Sequence, residues 1–176
     1  MKRVLFLLGQ LSDLDIEWMI KNGHKQTLPA GQRLINRGEE IENLYIILSG
    51  HLSVRGGTSN QNEIAQIGPG EIVGEMSFLE SHPPSVSVVA VEPCQVYTLS
   101  RERINQKIIT DTTFRANFYY SLALFLSNRL RKTTEQLGYG VPEETDLIDH
   151  NVLNGVAQAG ARFGQILRKF SAVEYV

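Results

Sequence analysis

The pattern of apolar and polar positions changes character several times along the chain. Residues 13–22 place apolar side chains near helical spacing, with Ser12 before them and Gly23 after them. A serine at the N-cap and a glycine past the last turn are typical signals of helix ends. We therefore predict a helix over residues 13–22, with Trp18 in the core or at its edge rather than in a ligand site.

A different pattern covers residues 24–99, where short β-prone runs alternate with turn residues at a spacing of roughly 8–12 residues. Glycine supplies positive φ in such turns, and proline fixes φ and removes a backbone donor. The pattern predicts an all-β barrel or roll. The predicted strands are Lys25–Leu28, Arg33–Asn36, Leu44–Leu48, Leu52–Arg55, Ile64–Ile67, Ile72–Val73, Val86–Val91 and Gln95–Leu99.

Helical spacing returns after Ser100, which can cap a short helix over residues 101–109, and Asp111 can cap a longer helix over residues 112–137. The longer helix carries a wide apolar stripe at steps of three and four residues. The stripe consists of Phe114, Phe118, Leu122, Phe125, Leu126 and Leu130. Its last turns carry cations, which suit the negative end of the helix dipole. These cations are Arg129, Arg131 and Lys132.

The end of the chain reads as one more helical pattern. Glycines at 138 and 140 break the chain, and Pro142 can open a last helix over residues 142–170. Its apolar positions are Ile148, Val152, Val156, Phe163, Leu167 and Phe170. Three glycines lie inside this pattern, where each costs about 1 kcal/mol relative to alanine. Gly155, Gly160 and Gly164 either admit a second backbone closely or mark a loose tail, and both alternatives stay open.

Length and charge narrow the classes of protein. The 176 residues suit one domain and a short appendage. We expect an N-terminal helix, β-roll and short helix over 1–110, the long helix over 111–137 and a helical extension over 138–176. The net charge of −2 gives no footprint for nucleic acid or an anionic membrane. The apolar run at 4–8 is too short for a signal peptide or a membrane span, so we expect a cytoplasmic protein.

The sequence offers little for catalysis or metal binding. It contains no lysine-bearing phosphate loop, His-Glu-x-x-His, Cys-x-x-Cys or Gly-x-Ser-x-Gly motif, and its four histidines are scattered. The single cysteine, Cys94, lies in a strand-like run and is expected to be a buried structural thiol. We expect neither an enzyme nor a metal site.

The stretch over residues 74–88 reads Gly-Glu-Met-Ser-Phe-Leu-Glu-Ser-His-Pro-Pro-Ser-Val-Ser-Val. It resembles the phosphate-binding cassette of cyclic-nucleotide-binding domains, the module found in cAMP receptor proteins, regulatory subunits of cAMP-dependent kinase and cyclic-nucleotide-gated channels. Other segments resemble the same family, and together they span about residues 12–137. They are Pro29-Ala30-Gly31-Gln32-Arg33-Leu34-Ile35, Gly38-Glu39-Glu40, Leu44-Tyr45-Ile46-Ile47-Leu48-Ser49-Gly50, Gly68-Pro69-Gly70-Glu71-Ile72-Val73-Gly74-Glu75 and Ser127-Asn128-Arg129-Leu130-Arg131. The resemblance implies a mainly β fold, an eight-stranded, jelly-roll-like β-roll with one helix before it and two after it.

The same resemblance implies a nucleotide-binding site for cAMP or cGMP within the cassette. Its residues would be Gly74, Glu75, Met76, Ser77, Pro84, Ser85, Val86 and Ser87. Glu75 would accept a charge-assisted hydrogen bond from the ribose 2′-hydroxyl, and Gly74 would let the backbone approach the sugar. Met76 and Ser77 would open a short helix whose first amides can face an anion, and Ser85 would add a hydroxyl and an amide.

Two positions depart from the family pattern. The family places an arginine nine residues after the glutamate, where it pairs with the cyclic phosphate, and here that count reaches Pro84. Proline offers neither a charge nor an amide proton. Without the charge-assisted hydrogen bonds of the arginine, the free energy of nucleotide binding is expected to be weaker by about 3–4 kcal/mol. Val86 is bulkier than the usual alanine. The cation could come from elsewhere, and Glu75 could instead be a structural carboxylate. Substitute cations would be His82, Arg33, Arg37 or Arg55.

Two hypotheses follow. The first is a regulatory or signalling module with weak or absent cAMP and cGMP binding, which forms homo-oligomers or binds a protein partner through the helices over 112–137 and 142–170. The alternative is a functional cAMP or cGMP sensor, either by itself or as part of a transcription regulator. Residues 138–176 hold five acidic and three basic side chains in one helical pattern. A helix-turn-helix needs two helices, so we expect no direct nucleic-acid binding.

Overall fold

The computed structural model describes residues 10–57, 62–138, 165 and 168–172. Its centre is a roll of two four-stranded antiparallel sheets with strand orders β1-β8-β3-β6 and β2-β7-β4-β5. This confirms the predicted eight-stranded β-roll. The strands are β1 Gly23–Leu28, β2 Arg33–Ile35, β3 Asn43–Ser49, β4 Leu52–Gly56, β5 Asn62–Ile67, β6 Ile72–Val73, β7 Ser87–Ala90 and β8 Cys94–Ser100.

The pairing of distant strands closes the roll. β1 runs antiparallel to β8, with Gly23 opposite Leu99, and β3 lies on the other side of β8. In the second sheet β7 is paired on both sides, with β2 and with β4. The short β6 pairs with β3 through Tyr45 and Val73. The chain therefore leaves the first sheet at its edge strand β6 and enters the cassette from there.

The first helix, α1 Asp13–Asn22, has the predicted boundaries. Ser12 accepts a hydrogen bond from the Asp15 amide at 3.1 Å, and the Asp15 carboxylate accepts one from the Ser12 amide at 2.9 Å. This reciprocal capping box satisfies two amides that have no partner within the helix. Trp18 packs edge-on against Phe114, with ring centres 5.3 Å apart, which confirms its place at the edge of the core.

Three more helices follow in the chain, and their ends show what stops each one. They are α2 Glu75–Glu80, α3 Arg101–Thr110 and α4 Thr112–Gln136. Asp111 accepts a hydrogen bond from the Phe114 amide at 2.9 Å and so caps α4 as predicted. The prediction for Ser100 was wrong in its chemistry, because this residue precedes α3 but its side chain makes no capping hydrogen bond. Among the described residues, no helix has the length and apolar character needed to span a membrane.

The apolar stripe of α4 lies inside the molecule. Phe114, Phe118, Leu122 and Phe125 are buried against the first sheet and the helices. The expectation that this stripe serves as a partner surface was therefore wrong for these four side chains, which cover the protein's own roll. Only Leu126 and Leu130 are more exposed, and Leu130 keeps 68% of its surface accessible.

One short segment near the end of the chain also packs on the roll. Phe170 is fully buried and lies edge-on to Tyr97, with ring centres 4.5 Å apart. Lys25 donates a hydrogen bond to the Ser171 carbonyl at 2.6 Å. The rest of the predicted helix over 142–170, including its other apolar positions and its three glycines, lies outside the described residues except for 165, 168 and 169.

Candidate ligand-binding site

A cavity of about 540 Å³ lies between the second sheet, the loop around α2 and the later turns of α4. Its wall combines apolar and polar side chains, and Glu75 and Arg129 lie where α2 meets α4. This volume falls in the range of small-molecule sites, about 300–1,000 Å³. Seven of the eight residues predicted for the cassette line it: Gly74, Glu75, Met76, Ser77, Pro84, Ser85 and Val86. The eighth, Ser87, is buried in β7, where its hydroxyl accepts a hydrogen bond from the Arg37 amide at 3.0 Å.

The backbone at Gly74 sets the direction in which α2 leaves the sheet. Gly74 has φ of 92°, and a Cβ atom there would lie 2.9 Å from the Asn43 carbonyl oxygen. Only glycine adopts this conformation without strain and fits against the neighbouring strand. The turn therefore places Glu75 at the first position of α2, with its side chain at the inner end of the cavity.

Glu75 is ion-paired, and its partner comes from the long helix. Its carboxylate forms a salt bridge with the Arg129 guanidinium of α4. The Glu75 side chain is only 3% exposed, whereas that of Arg129 is 34% exposed. The group that the resemblance assigns to a ribose hydroxyl therefore already has a cationic partner within the chain.

Opposing influences act on the Glu75 carboxyl. Burial raises its pKa above the ordinary value, and the nearby Glu71 carboxylate raises it further. The Arg129 charge and hydrogen bonds from the Glu75 and Met76 amides lower the pKa, but burial outweighs them. The carboxylate is thus held in its charged form chiefly by Arg129 and by backbone donors at the start of α2.

Arg129 is fixed by two further contacts. Its second terminal nitrogen donates a hydrogen bond to the Ile72 carbonyl at 3.0 Å, and its guanidinium carbon lies 4.5 Å from the centre of the Phe125 ring. From the sequence, Arg129 is expected only to complement the helix dipole, and its pairing with Glu75 is not foreseen. The available signal was its position four residues after Phe125, on the apolar stripe, where an unpaired cation is not expected.

Pro84, at the position where the resemblance predicts the family's phosphate-binding arginine, lines the cavity. Its carbonyl accepts a hydrogen bond from the Gly38 amide at 2.9 Å, which ties this loop to the turn after β2. Pro83 and Ser85 flank it along the cavity wall. None of these three side chains carries a positive charge.

The predicted substitute cations lie in different places. His82 lines the cavity, so the structure brings it to the site. Arg37 instead donates to the Gly57 carbonyl at 2.6 Å, and Arg55 donates to the Ser53 hydroxyl at 3.3 Å. Arg33 lies in β2 and is not among the residues lining the cavity. The cations that do reach the wall from α4 are Arg129 and Lys132.

The cassette is also joined to the C-terminal helices by two other contacts. Phe78 of α2 packs edge-on against Phe118 of α4, with ring centres 5.6 Å apart. Arg101 of α3 donates a hydrogen bond to the Ser81 hydroxyl at 2.7 Å. Ser81 ends α2 with φ of 56°, the left-handed conformation. α2 is therefore in direct contact with both α3 and α4.

Elsewhere the described residues show little site chemistry. Cys94 is buried, burial raises the pKa of its thiol, and its sulfur lies 3.2 Å from the His51 carbonyl oxygen, as expected of a structural thiol. Within the part of the chain that the structure describes, no group of three or more histidine, cysteine or acidic side chains is arranged to hold a metal ion.

Comparison with known sequences identifies two kinds of regulator as relatives. The chain is 25% identical over 115 residues to a cAMP-dependent protein kinase regulatory subunit of Yarrowia lipolytica, covering 65% of this chain and 30% of that protein. It is 26% identical over 130 residues to the cAMP-activated global transcriptional regulator CRP of Escherichia coli, covering 72% of this chain and 60% of that protein. The chain thus spans less than two thirds of either relative.

Solved structures share the fold. A cyclic nucleotide-binding domain from Methylobacillus flagellatus superposes with a TM-score of 0.69 at 24% identity, covering 80% of this chain and 85% of that one. The regulatory subunit of a cAMP-independent protein kinase A from Trypanosoma brucei gives a TM-score of 0.57 at 26% identity, covering 76% and 43%. A triple mutant of that subunit, in which one change replaces threonine by arginine, is bound to cAMP in its A site, with a TM-score of 0.53 at 27% identity, covering 76% and 46%.

The family model described as cyclic nucleotide-binding domain matches residues 25–111, from within β1 to Asp111, the cap of α4. This match includes most of β1, the other seven strands and the complete cassette. It agrees with the strand order, with the helix between β6 and β7 and with the relatives named above. Through residues 25–111 the chain belongs to the cyclic nucleotide-binding domain family.

Proposed function

We propose that this protein is a regulatory module of the cyclic nucleotide-binding fold that binds cAMP and cGMP weakly or not at all and acts through contacts with protein. The observation that carries the proposal is Pro84, which lines the cavity at the seat of the phosphate-binding arginine. A cyclic nucleotide entering this site would bring an anion that finds no cation from the cassette itself apart from the imidazole of His82.

The ion pair of Glu75 supports the same proposal. A ribose hydroxyl could bond to Glu75 only in competition with Arg129. A guanidinium–carboxylate pair is stronger than a hydroxyl–carboxylate bond, so the exchange is unfavourable. Together with the loss of about 3–4 kcal/mol at Pro84, this weakens binding by at least a hundred- to thousand-fold relative to an intact cassette.

A structural neighbour supports the link between an arginine and cAMP binding. The Trypanosoma brucei protein is described as the regulatory subunit of a cAMP-independent protein kinase A, and the variant seen with cAMP carries an introduced arginine among its three changes. By analogy, we propose that the fold of this chain is competent to form a cassette and that the identity of residue 84 limits its affinity.

Calorimetric titration with cAMP and cGMP tests the proposal. We expect the wild type to show no dissociation constant below about 100 μM for either nucleotide, and we expect Pro84→Arg to bind at least tenfold more tightly than the wild type. Pro83→Arg is the matched control, since it adds the same charge one residue away. Binding to the wild type below about 10 μM would refute the proposal and favour the alternative, a functional cyclic nucleotide sensor.

The contact surface that we propose is an exposed stripe of α4, separate from the buried one. Its positions alternate in steps of four and three residues, the spacing of a coiled-coil seam. The stripe consists of Tyr119, Ala123, Leu126, Leu130, Thr133 and Leu137. Apart from the half-buried Leu126, these side chains are exposed. Because such a seam is complementary to itself, the occupant that fits it best is α4 of a second copy.

Light scattering on a sizing column tests this pairing. Leu130→Gln should shift the protein from dimer towards monomer at a given concentration, whereas Glu135→Gln, an exposed change outside the stripe, should not. A wild type that is monomeric at all accessible concentrations would exclude the second copy as occupant.

We further propose that this chain binds no nucleic acid directly, since its net charge is −2.

A further inference from the structure

The inner end of the cavity contains a complete set of acceptors for a guanidinium group. Arg129 receives a carboxylate from Glu75, a carbonyl from Ile72 and the face of the Phe125 ring. A carboxylate, a carbonyl and an aromatic face are the three kinds of partner that bind organic cations in proteins. The chain therefore has a cation site at the place where the resemblance puts a sugar, and one of its own side chains fills that site.

The two partners of the ion pair differ in how readily they can be separated from it. Arg129 is about one third exposed, so its guanidinium can turn into water and become hydrated. Glu75 is 3% exposed, so without Arg129 its charge stays buried and needs another partner. While Glu75 is ionised, a ligand that displaces Arg129 is therefore favoured if it brings a positive charge, since an unpaired buried carboxylate is costly.

The remaining charges of the cavity point in the same direction. Glu71, which is 8% exposed, and Glu80 also line the wall. Together with Glu75 they give the lining three carboxylates, against the two permanent cations of Arg129 and Lys132. An anionic ligand adds to this negative charge, and a cationic ligand reduces it. The walls beyond the carboxylates are apolar and can bury the body of a small molecule. The apolar side chains along the wall include Ile35, Ile41, Val54, Ile64, Ile67 and Val73.

We infer that this cavity accepts an organic cation, an amine or a guanidine on an apolar body, which takes the place of Arg129 at Glu75. The inference rests on the proposed function, because it requires that cyclic nucleotides do not hold the site. It reverses the charge preference that the fold family implies. Because Arg129 joins α4 to the cassette, such a ligand also releases the later turns of α4 from α2.

A series of three probes with one body and different charges tests the inference. The probes are 4-phenylbutylamine, 4-phenylbutanol and 4-phenylbutyrate, titrated by NMR into the wild type, Arg129→Gln and Glu75→Gln. We expect the amine to bind more tightly than the alcohol or the butyrate to every protein that keeps Glu75. The amine should also bind Arg129→Gln at least tenfold more tightly than the wild type, because the Arg129 guanidinium no longer competes for Glu75. Glu75→Gln should lose the preference for the amine, whereas the control Glu135→Gln, an exposed residue of α4 that is not among those lining the cavity, should keep it.

Two results overturn the inference. One is equal or tighter binding of the alcohol or the butyrate than of the amine; the other is no gain for the amine in Arg129→Gln. Circular dichroism checks that each variant is folded, and if Glu75→Gln is not, the Arg129→Gln comparison decides alone. Titration of the same wild-type sample with cAMP separates the two proposals. Tight cAMP binding refutes the proposed function, and failure of the amine without cAMP binding refutes only the inference.

Discussion

Replacing Arg129 by alanine removes the cation from a buried carboxylate and provides the sharpest test of the site's electrostatics. Loss of one partner from a fully buried ion pair costs about 3–5 kcal/mol, and an exposed pair contributes about 0–1 kcal/mol. Here Glu75 is 3% exposed but Arg129 is 34% exposed. We therefore expect a loss of about 2 kcal/mol in the free energy of unfolding near neutral pH. In a domain of this size that lowers Tm by about 4–8 °C.

The expected loss depends on pH, and its sign follows from the pKa of Glu75. Burial already raises this pKa in the folded wild type, and the Arg129 charge lowers it. In Arg129→Ala the folded-state pKa therefore rises further above the unfolded value. A raised pKa means that the folded state gains stability as pH falls through it. The variant gains more than the wild type, so the difference between them shrinks in acid.

Urea denaturation at about pH 7.5 and about pH 5 measures this difference. Arg129→Lys keeps the charge and should lose less than the alanine variant. The Glu75→Gln background removes the carboxylate, so Arg129→Ala should cost much less there, with a coupling energy of about 1–2 kcal/mol. An equal loss at both pH values, or an equal loss with and without the carboxylate, would show that Arg129 acts only by packing on Phe125.

Two further predictions concern the backbone and the core around the cassette. Gly74→Ala should cost about 2–3 kcal/mol by urea denaturation, because it combines a left-handed φ with a Cβ only 2.9 Å from the Asn43 carbonyl. Gly31→Ala should lower the free energy of unfolding by only about 1 kcal/mol, because its φ of +84° is strained for alanine but an added Cβ atom would meet no other atom within 4 Å. Phe118→Ala should lower the free energy of unfolding by about 3–5 kcal/mol, because this buried ring contacts both Phe78 and Phe114. Tyr120 is 56% exposed, so Tyr120→Ala should change the free energy of unfolding by about 0.5 kcal/mol or less. Similar losses for the two members of either pair would contradict the packing described above.

The roll could be predicted from sequence because its strands are bounded by local signals. Gly68 and Gly70 end β5 and precede β6, and Ser12 and Gly23 bracket α1. Ser12 acts through its cap and Gly70 through its positive φ, without help from distant parts of the chain. Gly23 differs, because its backbone is extended and a Cβ atom there would clash with Tyr97 of β8. The predicted strand ends differ from the observed ones by one or two residues, as at Asn62, where β5 begins earlier than its apolar run.

Longer-range packing was less accessible to sequence reasoning. The stripe on α4 has the spacing of an amphipathic helix, but spacing does not tell whether the stripe meets its own domain or a partner. The structure places Phe114, Phe118 and Leu122 against the roll. The exposed 4–3 stripe through Leu130 lies on another side of the same helix. It was overlooked because tyrosine, alanine and threonine give it a weak apolar signal.

The two unusual features of the site are best understood together. The cassette lacks a cation at Pro84, and the long helix supplies one at Arg129, 54 positions away from its partner. A buried carboxylate without a cation or ligand would weaken the fold, so Arg129 lets Glu75 remain charged when the cavity holds no ligand. The cation is thus next to the carboxylate rather than at the phosphate seat. It follows that Pro84→Arg alone restores only the phosphate half of a nucleotide site, because the ribose hydroxyl must still compete with Arg129 for Glu75.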